Sequence, residues 1–358
     1  MGIESLNKDS NQYVHKIKSI LKNNAHDTIG LEMLDKFESG EWILNKQEFH
    51  YIDKNPEIIY PYLQYRFRFW KLLNAPNYEQ VSSFPLYLGI EPTSVCNLRC
   101  QMCWQREDTI RTKPYSGKMD LALFKKIIDE AHQGGCCAIT LAGRGEPLIN
   151  PEICNFLDYA ANKFYELKIN TNGLLLNDKV SHAILKSNVS LVVFSAEGTT
   201  QEIYEKTRCG GDFSQLIKNI RRFNDIRRNY YKDSKTQTRV SGVIVDNLMN
   251  KEDYYNFWKT LVDEVALVEM EERWDTYGNQ VFSVNAHPCN RLWHQMYIWW
   301  DGSCAVCDND YLTKIQIGKL DANHTIQDIW NGQEYAKVRK FHLNGQRNEC
   351  FPCDRCGL

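Results

Sequence analysis

The sequence predicts an α/β protein: a partial barrel of six β-α units, preceded by a helical extension and followed by a small cysteine-rich segment. Three observations carry that reading. From about residue 84, short apolar and β-branched runs alternate with amphipathic helical stretches. Residues 1–82 are polar and helix-like and lack such runs. The 13 cysteines are clustered, three within eight residues (Cys96, Cys100, Cys103) and six in the last seventy (Cys289, Cys304, Cys307, Cys350, Cys353, Cys356).

Composition sets the outer bounds. With 358 residues, 43% hydrophobic and 25% charged, the chain has material for a sizeable core and is unlike a disordered one. Lys+Arg 43 against Asp+Glu 45 gives a net charge of -2, without the basic footprint that nucleic acid requires. No apolar run approaches the roughly 18–20 residues of a membrane helix; Met296–Trp300 is the most apolar patch. The first residues lack a signal-peptide core, and Leu6 stands where a myristoylation pattern needs Ser or Thr. A soluble cytoplasmic protein with neither nucleic-acid nor membrane partner is expected.

Each element follows in order. Within residues 1–82 the aromatic stretch Tyr60–Trp70 reads as a packing face, with a substrate lid or peptide-recognition element as the alternative; Pro76 and Ser82-Ser83 mark a boundary. Leu86–Ile90 is the first strand, and Leu121–His132 a helix. Ala138–Leu141 is the second strand, and a helix begins near Pro151, which suits a first turn. Strands at Leu167–Asn170 and Ser190–Ser195 flank a helix at Val180–Leu185. Phe213–Arg228 is a basic amphipathic helix, Thr238–Val245 a strand, Asn250–Val262 a helix and Val265–Met270 a sixth strand. Strands this apolar imply a parallel sheet covered by helices. Six units are too few to close an eight-stranded barrel, so residues 83–275 form an open or partial one. Residues 276–358 read as loops with one helix around Ile326–Phe341, too little core to fold without a metal or cluster.

Cys96-Asn-Leu-Arg-Cys100-Gln-Met-Cys103 follows the first strand directly. Structural zinc takes four ligands, commonly two and two, and is the competing reading. Three thiolates on one tight loop suit a [4Fe–4S] cubane, holding three irons and leaving the fourth open to a small molecule. The position after a strand puts that open iron at the mouth where barrels do chemistry. Cys136, Cys137, Cys154 and Cys209 read as small buried hydrophobes.

Here the sequence resembles the radical S-adenosylmethionine (SAM) enzymes, whose signature is this cysteine spacing, although Met102 stands where the family usually has an aromatic residue. Gly143-Arg144-Gly145-Glu146-Pro147 resembles the family's Gly-Gly-Glu-Pro segment, which contacts the SAM amino group. Asn172 and Gly173 end the third strand. Ser195 and Glu197 end the fourth, where the family places ribose or carboxylate contacts, and Arg208 matches an Arg that reaches the SAM carboxylate. The resemblance implies a partial (β/α)6 TIM-like barrel, a SAM-binding [4Fe–4S] cluster at Cys96, Cys100 and Cys103, and a flavodoxin- or ferredoxin-type reductant. It also implies reductive cleavage of SAM to a 5′-deoxyadenosyl radical that removes a hydrogen atom from a substrate carbon.

The terminal cysteines, with Trp299-Trp300-Asp301-Gly302, Ile317–Leu320 and Ile326–Trp330, resemble the SPASM/twitch extension that holds auxiliary clusters. Six cysteines are two short of the eight thiolates two all-Cys clusters need, so one auxiliary [4Fe–4S] cluster is implied. Its ligands are Cys289, Cys307, Cys350 and Cys353, with Cys356 an equivalent choice to Cys350. A zinc ribbon of Cys304/Cys307 with Cys350/Cys353 is the alternative. Cys304 is a core side chain or a hydrogen-atom donor for an epimerase. Glu272, with Glu269, Glu271 and Arg273 at the end of the sixth strand, is a solvated turn or a catalytic carboxylate. His287, His294 and His342 read as ordinary histidines, and Trp299 and Trp300 as packing.

The expected function is therefore a radical SAM oxidation or epimerisation of a sugar-like, alcohol or amine metabolite. A peptide-modifying radical SAM enzyme is the runner-up. A non-catalytic Fe–S carrier or zinc protein is the reading from a different class.

Overall fold

Four helices build the first part of the chain: α1 (Lys8–Asn24), α2 (Thr28–Glu38), α3 (Lys46–Lys54) and α4 (Ile59–Asn74). The computed structural model describes residues 8–74, 78, 81–245, 249–269, 276–278 and 287–357, which fall into two units, 1–78 and 79–358. In the first unit Asn45 starts α3 with a reciprocal cap. Its side chain accepts the Glu48 N–H at 2.9 Å, and its own N–H donates to Glu48 Oε2 at 2.7 Å. The aromatic stretch lies on α4, where Tyr62, Leu63, Tyr65 and Phe67 are buried. Phe67 meets Trp42 edge-on, ring centroids 5.0 Å apart. That stretch is a packing face of its own unit.

The second unit is built on strands β1 (Tyr87–Ile90), β2 (Ala138–Leu141), β3 (Glu166–Thr171), β4 (Leu191–Ser195), β5 (Gln237–Ile244), β6 (Glu264–Glu269), β7 (Gln295–Ile298) and β8 (Cys304–Ala305). Between them run α5 (Leu121–Gln133), α6 (Ile153–Ala160), α7 (Asp178–Lys186), α8 (Gln201–Thr207), α9 (Phe213–Tyr230) and α10 (Lys251–Trp258). α11 (Ile326–Trp330) and α12 (Gln333–Leu343) come last. The sheet order is β6-β5-β4-β3-β2-β1-β7-β8. Strands β1 to β7 pair in parallel, and β8 turns back antiparallel on β7. This is the partial barrel that the strand–helix alternation implies.

Helix starts are set by side-chain caps: Asp120 accepts from Leu123 N, Asn177 from Val180 N and Asp212 from Gln215 N. Helix faces spaced three and four apart cover the sheet; on α5 these are Phe124, Ile127, Ile128 and Ala131. Phe124 stacks on Phe156 of α6 at 4.0 Å.

The cysteine-rich segment differs from expectation. It contributes β7, which extends the sheet past β1 with Tyr87 opposite Gln295 and Gly89 opposite Tyr297. A four-residue strand carries too little periodicity to be seen alone, and its stability comes from pairing with an otherwise bare β1 edge. Close approach here needs Gly89, since a Cβ would sit 2.4 Å from the Tyr297 ring. The expected helix at 326–341 is two, α11 and α12, parted at Asn331-Gly332.

Candidate functional site

The loop after β1 is tied down before it reaches the first cysteine. Thr93 Oγ1 donates to Gly117 O at 2.8 Å and accepts the Val95 N–H at 3.0 Å; Ser94 Oγ accepts the Gly117 N–H at 2.8 Å. Cys96 Sγ accepts the Leu98 N–H at 3.4 Å, and Cys103 Sγ the Gln105 N–H at 3.5 Å. Arg208 Nη1 lies 3.6 Å from Cys100 Sγ. Burial pushes the Cys96 and Cys103 thiols up to about 12, so their thiolates depend on the positive charge of bound metal. Three sulfurs on one loop, each facing an N–H donor, fit a cluster held by three of its irons.

The ends of the next strands close on this loop. Glu146 N donates to Val95 O at 2.9 Å. That approach requires Gly145, whose Cβ would fall 2.4 Å from Thr93 O and 2.5 Å from Val95 O. The buried Glu146 carboxylate accepts from Thr171 Oγ1 at 2.6 Å, Asn172 N at 2.7 Å and Leu148 N at 3.1 Å. Burial raises its pKa, partly offset by these donors. Asn172 Nδ2 donates to Asn97 Oδ1 at 2.8 Å. Arg144, standing where the resemblance has glycine, has its guanidinium fully engaged by the protein. Its Nε and Nη2 donate to Glu91 at 2.8 and 2.7 Å, its Nη1 donates to Tyr311 O at 3.0 Å, and the guanidinium lies 4.2 Å over Trp299.

One cavity of about 290 Å³ gathers Cys96, Cys100, Cys103, Gly143, Gly145, Glu146, Asn172, Ser195 and Arg208. Glu197, expected as a cofactor contact, does not line it. It is wholly buried and accepts from Arg208 Nε at 2.5 Å and Nη2 at 3.0 Å, holding that guanidinium at the cavity wall. The same cavity is lined by Tyr87, Thr140, Tyr297 and Asp308, which the sequence reading missed. Asp308 follows Cys307 directly and accepts from Arg291 Nη1 at 3.0 Å. The available signal was an Asp beside one of the clustered cysteines; four-residue strands carry too little alternation to single out Tyr87 and Tyr297.

A second cavity has Cys289, Cys307, Cys353, Cys356 and His342 in its wall. Arg347 donates to Cys353 O and Cys356 O at 3.1 Å each, fastening the last turn. Asn309 Nδ2 donates to Cys356 Sγ at 3.4 Å. Cys350 is buried beside Cys353 rather than in that wall. Four thiols around one cavity fit an all-Cys cluster with no open iron. Cys304 is fully buried on β8, its thiol 3.6 Å from Gly302 O, and lines neither cavity. That placement fits the core reading of Cys304 rather than the hydrogen-atom-donor one. Glu272, Glu271 and Arg273 lie outside the described residues, and Glu269 is exposed and paired with Lys251 at 2.9 Å. Trp299 and Trp300 pack, the latter donating from Nε1 to Tyr115 O at 2.9 Å.

Comparison with known proteins agrees with this geometry. Residues 90–238 match the radical SAM superfamily, and 289–357 match the iron-sulfur cluster-binding SPASM domain. A tungsten-containing aldehyde ferredoxin oxidoreductase cofactor-modifying protein of Pyrococcus furiosus is 36% identical over 116 residues, covering 31% of this chain and 30% of that protein. The chain thus spans about a third of the length of the curated relatives it matches. Two solved structures share the fold. BtrN in complex with AdoMet and 2-DOIA has a TM-score of 0.53 at 17% identity, covering 76% of this chain and 93% of that one. Streptococcus suis SuiB bound to precursor peptide SuiA has a TM-score of 0.58 at 15% identity, covering 88% and 94%.

Proposed function

Because the chain belongs to the radical SAM superfamily and carries a C-terminal SPASM domain, we propose that it oxidises a carbinol or amine carbon of a small polar metabolite. When bound, SAM and its [4Fe–4S] cluster supply hydrogen-atom abstraction, and the auxiliary cluster supplies an electron acceptor. The observation that carries the reading is Asp308. It stands next to Cys307 in the chain, yet it lines the cavity of Cys96, Cys100 and Cys103.

The chain's own residues then divide the work. Arg208, fixed by Glu197, and the cavity face of Glu146 and Asn172 hold SAM. Tyr87, Thr140 and Tyr297 offer hydroxyls to a polar substrate. Asp308 takes the O–H or N–H proton of the substrate as the carbon loses its hydrogen atom and one further electron. Loss of H•, a proton and an electron together converts the alcohol to a ketone. The burial of Cys304 away from both cavities supports oxidation over epimerisation, since among the described residues the cysteines that line the first cavity are the three of the cysteine loop. A flavodoxin- or ferredoxin-type protein supplies the priming electron.

The test is anaerobic. Protein loaded with iron and sulfide, reduced and given SAM is expected to form 5′-deoxyadenosine, and a carbinol-deuterated substrate to pass deuterium into it. Asp308→Asn is expected to keep deoxyadenosine formation while ketone formation falls by about 100-fold or more. No deoxyadenosine from loaded protein would move the chain to an electron-carrier role. Deuterium captured only from a peptide would replace the substrate class with a peptide one.

A further inference from the structure

His342 on α12 is 1% exposed and shares the wall of the second cavity with Cys289, Cys307, Cys353 and Cys356. Its Nδ1 accepts the backbone N–H of Cys289 at 3.1 Å. An accepting Nδ1 places the proton of the neutral ring on Nε2. Nε2 is buried and makes no hydrogen bond among the described residues. A ring nitrogen of His342 and the Sγ atoms of Cys350 and Cys353 all lie within 4.8 Å of one another. A buried N–H without an oxygen partner, beside sulfur atoms, calls for a sulfur acceptor.

We propose that His342 is not a ligand of the auxiliary cluster. It donates an Nε2–H hydrogen bond to sulfur at the Cys350–Cys353 pair, whose Cys353 stands in the cavity wall, and so raises the reduction potential of that cluster. The proposal rests on residues 289–357 holding an auxiliary cluster. A ligating nitrogen must be unprotonated, and with Nδ1 engaged by Cys289 N–H, ligation through Nε2 would demand an imidazolate. The four thiols of the cavity wall already complete a cubane and leave no coordination position for nitrogen. A donor at sulfur stabilises the more negative, reduced cluster more than the oxidised one, which is why the potential rises. The link to Cys289 fixes the ring's orientation, so His342 acts as a positioning and tuning residue for the cluster.

The test uses the full chain with Cys96, Cys100 and Cys103 all replaced by Ala, which isolates the auxiliary cluster. Iron and sulfide are assayed, and a redox titration is followed by electron paramagnetic resonance for the parent, His342→Leu and His342→Gln. The expected result is a more negative midpoint in His342→Leu, substantial recovery in His342→Gln, which keeps an N–H donor, and no directly coordinated nitrogen in pulsed spectra of the parent. Loss of the cluster in His342→Leu alone, with His342→Gln loaded at the parent potential, also supports the donor role. An unchanged midpoint in loaded His342→Leu, a coordinated nitrogen in the parent, or loss of iron from both variants overturns it. A parent without iron and sulfide overturns the auxiliary-cluster reading itself, and the proposal with it.

Discussion

Glu197 and Arg208 form a two-pronged ion pair at the barrel mouth, Nε to Oε2 at 2.5 Å and Nη2 to Oε1 at 3.0 Å, with Glu197 wholly buried. Of these two expected cofactor contacts, Arg208 lines the cavity and Glu197 holds it there from behind. A buried carboxylate of this kind binds its guanidinium through two parallel N–H bonds, a geometry that Lys cannot reproduce.

Removing the support therefore affects both stability and binding. Glu197→Ala leaves the half-buried Arg208 without its counter-charge and is expected to cost about 2–3 kcal/mol in chemical denaturation. Arg208→Lys keeps the charge but loses the fork, and is expected to weaken SAM binding about tenfold in equilibrium dialysis. Unchanged affinity would detach this pair from the SAM site.

Arg144 presents the converse case. Glu91 is wholly buried and accepts from Arg144 N, Nε and Nη2 and, at 3.3 Å, from Trp300 N. Arg144→Gly, which restores the glycine of the related segment, strands that carboxylate. A loss of about 3–5 kcal/mol is expected in urea unfolding, and a cost below ~1 kcal/mol would show the pair is dispensable.

Gly145 tests how closely the second strand's end must approach the cysteine loop. Its Cβ would overlap backbone atoms of Thr93, Ser94 and Val95 at 2.4–2.5 Å, which no rotamer change relieves. Gly145→Ala is expected to cost about 1–3 kcal/mol and to reduce iron content to that of the auxiliary cluster. Full iron loading at both sites would refute the requirement.

His294 predicts an acid-side loss of stability. Burial holds its imidazole down to about 4 from 6.5, and its Nδ1 pairs with Asn290 O at 3.0 Å. Between those two values the unfolded chain binds the proton and the folded chain does not. Stability therefore falls as pH drops from 6.5 towards 4, by ~1.4 kcal/mol per unit and about 3 kcal/mol in all. His294→Asn should flatten that slope relative to the parent in denaturation curves at pH 7, 6 and 5; parallel slopes would remove His294 from the account.

Cys304→Ala is expected to leave product identity and deoxyadenosine formation unchanged, because its thiol lines neither cavity. Its stability cost should stay near ~1 kcal/mol for a small buried group. Loss of turnover with full cluster loading would return Cys304 to the reaction.

The sequence by itself determined the barrel strands, the cysteine loop after the first, the glycine–glutamate segment after the second and the thiol-rich end of the chain. These are local signals: apolar runs, turn residues and ligand spacing are written in consecutive positions. Tertiary structure alone decided the rest. β7 exists because β1 offers it an edge. Glu91 meets Arg144 across 53 residues and Trp300 N across 209. Asp308 lines the cavity of Cys96, Cys100 and Cys103 although it follows Cys307, which lines the second cavity, and Cys356 rather than Cys350 lines that second cavity. Which carboxylate supports a guanidinium and which lines a cavity is settled by burial and by the partner that arrives from a distant strand, and neither is encoded at the residue itself.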